Sequence, residues 1–172
     1  MAVAVTFKGG PVQLAGKQVA VGDKAPDFKC LAAGLAAKTL GDTGAKARLF
    51  SVVPSLDTPV CSVQTKKFAD EVSALGDKVS CYTVSLDLPF AQGRFCTAEN
   101  ITSMQNLSDV HDHSFGKNYG VLIESLPLKL LARAVFVVDK HGVITYAEYV
   151  PEVTTAPNYD AALAALKAAA AA

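Results

Sequence analysis

Apolar positions in this chain fall into short strand-sized runs separated by turn residues, with two stretches of helical spacing set between them. Arg48-Leu-Phe-Ser-Val-Val-Pro54 is a brief apolar run rich in β-branched residues, which predicts a buried strand ended by Pro54. Beyond Thr58-Pro59, the residues Phe68, Val72 and Leu75 recur at helical spacing, so a helix is expected to start there. Lys78-Val-Ser-Cys-Tyr-Thr-Val-Ser-Leu86 predicts a second, central strand. Strand, helix and strand in this order favour a parallel pair joined by a right-handed crossover, with the helix packed on one face of the sheet.

The flanking segments extend this plan. Val3 to Phe7 and Val12 to Leu14, punctuated by Gly9-Gly10-Pro11, predict a hairpin-like start. Asp87 to Asp112 reads as polar and irregular. Arg133 to Asp139, the turn residues Lys140-His141-Gly142, and Val143 to Tyr149 predict a hairpin whose antiparallel strands make the sheet mixed. Tyr159, Leu163 and Leu166 share one face of a closing helix. Its Ala168 to Ala172 tail has high helix propensity but nothing evident to anchor it, so fraying is expected there.

Length and composition narrow the class. A chain of 172 residues suits one domain, residues 1–172, and with 51% hydrophobic and 19% charged residues it has enough apolar material to fold alone. Sixteen basic residues balance sixteen acidic ones, so no overall field favours nucleic acid. The apolar runs fall well short of the roughly 20 residues a bilayer span needs, so no membrane association is expected. The N-terminus lacks a basic stretch followed by a long apolar run, and a cytoplasmic protein is expected.

Four cysteines, Cys30, Cys61, Cys81 and Cys96, are too few for a disulfide scaffold and include no C-x-x-C pair. Structural zinc is therefore not expected. His111 and His113 flank Asp112 without a third ligand cluster, and read as solvated loop histidines. No metal or other cofactor is called for. Cys81, among strand residues, and Cys30, after a short strand-like stretch, read as inert packing thiols.

Pro54-Ser-Leu-Asp-Thr58-Pro-Val-Cys61 is the segment with chemistry in it. With Thr58 as N-cap, Pro59 falls at N1, where its missing N–H costs nothing, and Cys61 falls at N3. A helix N-terminus carries partial positive charge and unsatisfied N–H donors, which favour thiolate over thiol, so a nucleophilic sulfur is expected. The Thr58 hydroxyl, three residues away on the same face, is placed to donate to that sulfur or to a bound substrate atom. On spacing alone, a buried packing cysteine after a common Thr-Pro helix start is the preferred reading.

Pro54, Thr58 and Cys61 form a Pro-x-x-x-Thr-x-x-Cys string that resembles the active-site motif of peroxiredoxins, and Lys24-Ala-Pro-Asp-Phe28 resembles the segment before their first core strand. Asp87-Leu-Pro-Phe-Ala-Gln-Gly-Arg-Phe-Cys96 resembles the resolving-cysteine segment of the thiol peroxidase subfamily. Leu131-Ala-Arg133-Ala-Val135 resembles the segment with the active-site arginine, and the likeness runs on through Glu152-Val-Thr-Thr155. This resemblance implies a thioredoxin-like α/β fold, a mixed central sheet flanked by helices, with an N-terminal β-hairpin. It also implies an atypical two-cysteine peroxidase. Cys61 would attack a hydroperoxide and become a sulfenic acid, Cys96 would resolve it within one subunit, and thioredoxin would reduce the disulfide. Arg133 would hold the thiolate and polarise the peroxide, and a homodimer is implied.

Taken without the family, Cys96 is a bland cysteine in an irregular segment and Arg133 a surface charge at a strand edge. Two other functions use the same residues. A peroxide-sensing redox switch would oxidise Cys61 stoichiometrically to act on a protein partner. A disulfide oxidoreductase would need the C-x-x-C pair that is missing. The apolar Leu126-Pro-Leu128 and Leu130-Leu131, near Arg133 in sequence, are expected to suit an organic peroxide.

Overall fold

The computed structural model describes residues 2–172. Its centre is the predicted parallel pair: β6 (Ala47–Val52) lies beside β7 (Val79–Ser85), and α1 (Pro59–Ser73) forms the crossover. Around this pair a seven-stranded mixed sheet is built in the order β12-β11-β6-β7-β8-β4-β5. β11 (Ala134–Val138) runs antiparallel to both β6 and β12 (Ile144–Tyr149), as the turn residues predict, with Gly142 at φ +80° closing the turn. On the other side β8 (Gln105–Ser108) is parallel to β7, and β4 (Lys29–Leu31) and β5 (Ala37–Thr39) complete the edge.

Every residue of β6 and β11 is buried because both faces of the sheet are covered. Alternate side chains divide between two cores. Leu49, Cys81, Val135 and Val137 pack with Phe68, Ala69 and Val72 of α1 and with Leu163 and Leu166 of α4 (Tyr159–Ala171). Phe50, Val52, Tyr82, Phe136 and Val138 face the opposite way, toward Phe28, Phe115 and Tyr119, where Phe115 of α3 (Ser114–Asn118) stacks on Tyr119 at 4.2 Å between centroids.

The N-terminal hairpin is present, with β1 (Val5–Phe7) paired to β2 (Gly10–Val12), so its second strand begins two residues earlier than expected and includes Pro11. It is followed by β3 (Leu14–Ala15), which joins β9 (Leu122–Ile123) and β10 (Leu130–Leu131) in a small second sheet.

Two expectations are corrected. The Asp87–Asp112 segment is not irregular: it holds α2 (Pro89–Ala98) and β8. Pro89 occupies a first-turn position of α2, and Pro89, Gln92 and Phe95 form its buried face, a stripe too polar to register as hydrophobic periodicity. The alanine tail is also anchored rather than frayed. Ala169 is buried against the α1 side of the sheet, and Lys140 Nζ donates to Ala172 O at 3.1 Å. No helix among the described residues is long and apolar enough to cross a membrane.

Candidate active site

The loop leaving β6 is pinned before α1 begins. Asp87, just past β7, accepts from Ser55 Oγ and Leu56 N, each at 2.8 Å, and from Ser85 Oγ at 2.8 Å. This fixes the approach to Thr58, which is the N-cap of α1, with Pro59 at N1 and Cys61 at N3 as the spacing predicts. The Thr58 side chain makes no cap hydrogen bond; its hydroxyl donates to Ser55 O at 2.9 Å. This corrects the expectation of a donor aimed at Cys61. Ser55 O takes the single hydroxyl proton, so Thr58 Oγ1 turns lone pairs toward any other partner. With Thr58 not capping, the first-turn N–H groups of Val60 and Cys61 keep their donor capacity for a ligand.

Cys61 is fully buried, packed with Val53, Leu56 and Phe95. Thr65 Oγ1 donates back to Cys61 O at 2.9 Å within the helix. Cys96, on α2, is half-buried and borders the same cluster, and Asn106 Nδ2 donates to its Sγ at 3.1 Å. All four cysteines carry free thiols. Cys30 and Cys81 lie in strands, and burial pushes both thiols up, Cys81 to about 12; the Asp109 carboxylate beside Cys30 adds to the effect there. Both fit the packing role expected of them.

Arg133 is not a surface charge. It precedes β11 with only 2% of its surface exposed, and its Nε donates to Val153 O at 2.8 Å while Nη1 donates to Gln64 Oε1 at 2.9 Å. Gln64 in turn donates from Nε2 to Ser51 Oγ at 2.8 Å, so the guanidinium is held against α1, one turn beyond Cys61. Two of its five N–H donors are committed, which leaves three for a ligand.

Pro54, Thr58 and Arg133 line one cavity of about 350 Å³, together with Phe7, Lys8, Pro59, Val60, Val153 and Thr154. Cys61 is the next residue of α1 after the lining residues Pro59 and Val60 and does not itself line the cavity. Leu126 to Leu131 do not line it: Leu131 belongs to the core, and Leu128 is exposed on the surface. The apolar lining comes from the hairpin and the first turn of α1 instead. His111 is exposed and His113 half-buried, and no metal-ligand cluster exists among the described residues.

Several residues of the site escape sequence reasoning. Gln64 is a polar residue on a helix, and its role appears only once Arg133 is buried beside it. Glu152 docks the hairpin: its carboxylate accepts from Gly9 N at 2.8 Å, Thr6 Oγ1 at 2.9 Å and Thr154 N at 2.8 Å. Thr6 N donates to Pro151 O at 2.7 Å and Val153 N to Thr6 O at 2.9 Å, so the hairpin that contributes Phe7 and Lys8 is bonded to the segment after β12 whose Val153 O accepts from Arg133. Only the fold brings positions 6 and 152 together.

The family model described as Redoxin matches residues 20–163. The thiol peroxidase of Bacillus subtilis (strain 168) is 52% identical over 164 residues, covering 95% of this chain and 96% of that protein. Among solved structures, a peroxiredoxin-like protein from Aquifex aeolicus is 43% identical with a TM-score of 0.90, covering 98% of each chain. A thiol peroxidase from Chromobacterium violaceum shares the fold at 19% identity, with a TM-score of 0.87 and 98% of this chain covered. Nearly end-to-end similarity at this identity, on a thioredoxin-like α/β frame, means that the chain belongs to the redoxin family and, within it, to the thiol peroxidases of the peroxiredoxin group.

Proposed function

We propose that this thiol peroxidase, acting as one domain over residues 1–172, reduces hydroperoxides through Cys61 and recycles through Cys96. One observation carries the reading: Pro54, Thr58 and Arg133, distant in sequence, line a single cavity against the helix turn that bears Cys61.

The hydroperoxide enters this cavity. Thr58 Oγ1, its proton given to Ser55 O, accepts from the peroxide O–H, and the free Arg133 N–H groups donate to the peroxide oxygens. The Cys61 thiolate attacks the terminal oxygen; an S–O bond forms and the O–O bond breaks. The leaving oxygen departs as alkoxide or hydroxide, stabilised by the guanidinium, and takes a proton to become alcohol or water. Cys61 is oxidised to sulfenic acid and the peroxide reduced by two electrons. The Cys96 thiolate then attacks the Cys61 sulfur, displacing hydroxide as water and leaving a disulfide. A dithiol reductant returns two electrons and two protons. We assign that role to thioredoxin, the working form to a homodimer, and the compartment to the cytoplasm, where thiols are kept reduced.

The test is a coupled assay with thioredoxin and its reductase, comparing hydrogen peroxide with an alkyl hydroperoxide in wild type and Cys61→Ser. Many turnovers in wild type and none in the variant are expected. Oxidation that stops after one equivalent in wild type would make the chain a redox switch rather than an enzyme.

A further inference from the structure

Resolution of a sulfenic acid requires the second cysteine as a thiolate. Among the described residues the Cys96 sulfur accepts one hydrogen bond, from Asn106 Nδ2 at 3.1 Å. Asn106 lies on β8, where alternation turns it toward α2 while Leu107 faces the core that holds Phe50 and Phe115. Asparagine is depleted in strands, and this one is also incompletely satisfied, since its Oδ1 is buried and has no partner. Buried polar atoms in folded proteins are nearly always paired. Asn106 therefore occupies this position at a cost to the fold.

Its amide has one admissible orientation. Nδ2 also donates to Gln92 O at 3.3 Å, and a carbonyl only accepts, so turning the amide over would set two oxygens against each other. Gln92 is itself fixed: it is buried, and its Nε2 donates to Ser85 Oγ at 3.1 Å and to Leu107 O at 3.0 Å. An N–H is thus held on the sulfur of Cys96. The charges nearby are paired with one another, Arg94 of α2 with Asp57 before α1 at 3.2 Å, and Glu99 at the end of α2 with Lys66 of α1 at 2.8 Å. β8 and the short turn Ala33–Leu35, which also pack on α2, bear no ionisable side chain. In the adjoining cluster the other titratable group is Cys61.

We propose that Asn106 serves the resolution step, its N–H stabilising the Cys96 thiolate that attacks Cys61. This rests on the assignment of Cys61 as nucleophile and Cys96 as its resolving partner. In that step the Cys96 thiol gives its proton to solvent and the sulfur attacks the Cys61 sulfenic sulfur. The S–S bond forms as the S–O bond breaks, and the departing hydroxide takes a proton to leave as water. A hydrogen bond to a charged acceptor is roughly twice as strong as one to a neutral group, so the Asn106 N–H favours thiolate over thiol. Disulfide sulfur carries no charge, and the bond weakens as the product forms.

The test mixes the reduced full chain with one equivalent of hydrogen peroxide, from mildly acid to mildly alkaline pH, and follows by rapid quench and mass analysis the loss of water as sulfenic acid becomes disulfide. In Asn106→Leu and Asn106→Ala the midpoint of the pH profile for this step should rise by about one unit. Well below the midpoint, resolution should be about threefold slower, because the thiolate is about tenfold scarcer while the more basic sulfur regains about threefold in nucleophilicity. Asn106→Gln keeps the N–H, and the cavity of about 260 Å³ that Asn106 lines has room for another methylene, so its midpoint should stay with wild type. Sulfenic acid should form at the wild-type rate in all three, since Asn106 does not line the cavity that holds Arg133 and Thr58. A midpoint unmoved in Asn106→Ala, or a slowing equal at every pH, overturns the role of Asn106, while a Cys61–Cys96 disulfide mapped in wild type leaves the resolution reading standing. Failure of wild type to form that disulfide overturns both.

Discussion

Arg133 Nη1 donates to Gln64 Oε1 at 2.9 Å, between two side chains almost wholly removed from solvent. Gln64 follows Cys61 by one helical turn, so this bond ties the position of the guanidinium to the helix that carries the thiol. Replacing Gln64 with Leu leaves a buried N–H of Arg133 unpaired, at a cost of about 1–3 kcal/mol in stability. The peroxide reaction should slow by about tenfold or more as the guanidinium loses its setting. Gln64→Glu keeps an acceptor and should recover most of the rate. Stopped-flow oxidation and urea denaturation of the two variants check both effects; an unaltered rate in Gln64→Leu would mean that Val153 O alone positions Arg133.

Arg133→Ala and Thr58→Val each remove a polar contact to the peroxide, and each should lower the rate constant by about two decades while the far-UV spectrum stays native. Thr58→Ser keeps the hydroxyl and should remain within a few-fold of wild type. A variant whose rate does not change removes that residue from the site.

Most of the frame was legible in the sequence because β6, α1, β7 and the β11–β12 hairpin follow hydrophobic periodicity. The N-cap of α1 was legible because Thr58-Pro59 has a local meaning. The segment from Asp87 to Asp112 was not, since α2 buries Gln92 and β8 buries Ser108, polar residues that only tertiary hydrogen bonds make admissible. For the same reason Arg133 looked like a surface charge: its burial depends on Gln64 and Val153 O, partners far along the chain. The apolar wall of the cavity was misplaced because Phe7 reaches it through Glu152, a contact that spans almost the whole sequence.

That docking depends on pH. The Thr154 hydroxyl and N–H, with Gly9 N, hold the Glu152 carboxyl down to about 2, from an ordinary value of 4.5. A carboxyl depressed in the folded state stabilises it above the unfolded value, and this stabilisation is lost as pH falls through the folded one. The contribution of Glu152 is therefore complete above pH 4.5 and gone below about 2. Glu152→Gln should be less stable than wild type at neutral pH, with the gap closing over that window. Thermal melts of both proteins from pH 7 to pH 2 would show it; a gap that stays constant contradicts the charged contact.

Disulfide formation is expected to move the segments that hold the two cysteines. Cys61 lies in the first turn of α1 and Cys96 in the last turn of α2, with its sulfur engaged by Asn106. A disulfide needs Cα atoms about 4.4–6.8 Å apart and sulfurs in mutual contact. Oxidation should unwind the first turn after Thr58 and loosen the segment around Cys96, with hydrogen exchange rising at residues 59–62 and 93–98 in the disulfide form. Equal protection in both redox forms would mean that the bond closes without unwinding.

The central claim is that Cys61 takes the oxidation and Cys96 resolves it within the same chain. Mass analysis of Cys96→Ser after one equivalent of hydroperoxide, beside wild type, tests this most directly. Wild type should yield a Cys61–Cys96 disulfide in a single chain and cycle with thioredoxin. Cys96→Ser should consume one equivalent, stall with Cys61 as sulfenic acid and fail to cycle, and only a second equivalent of hydroperoxide should carry it on to the sulfinic form. Normal thioredoxin-linked cycling by Cys96→Ser, or oxidation found at Cys30 or Cys81 instead of Cys61, would contradict it.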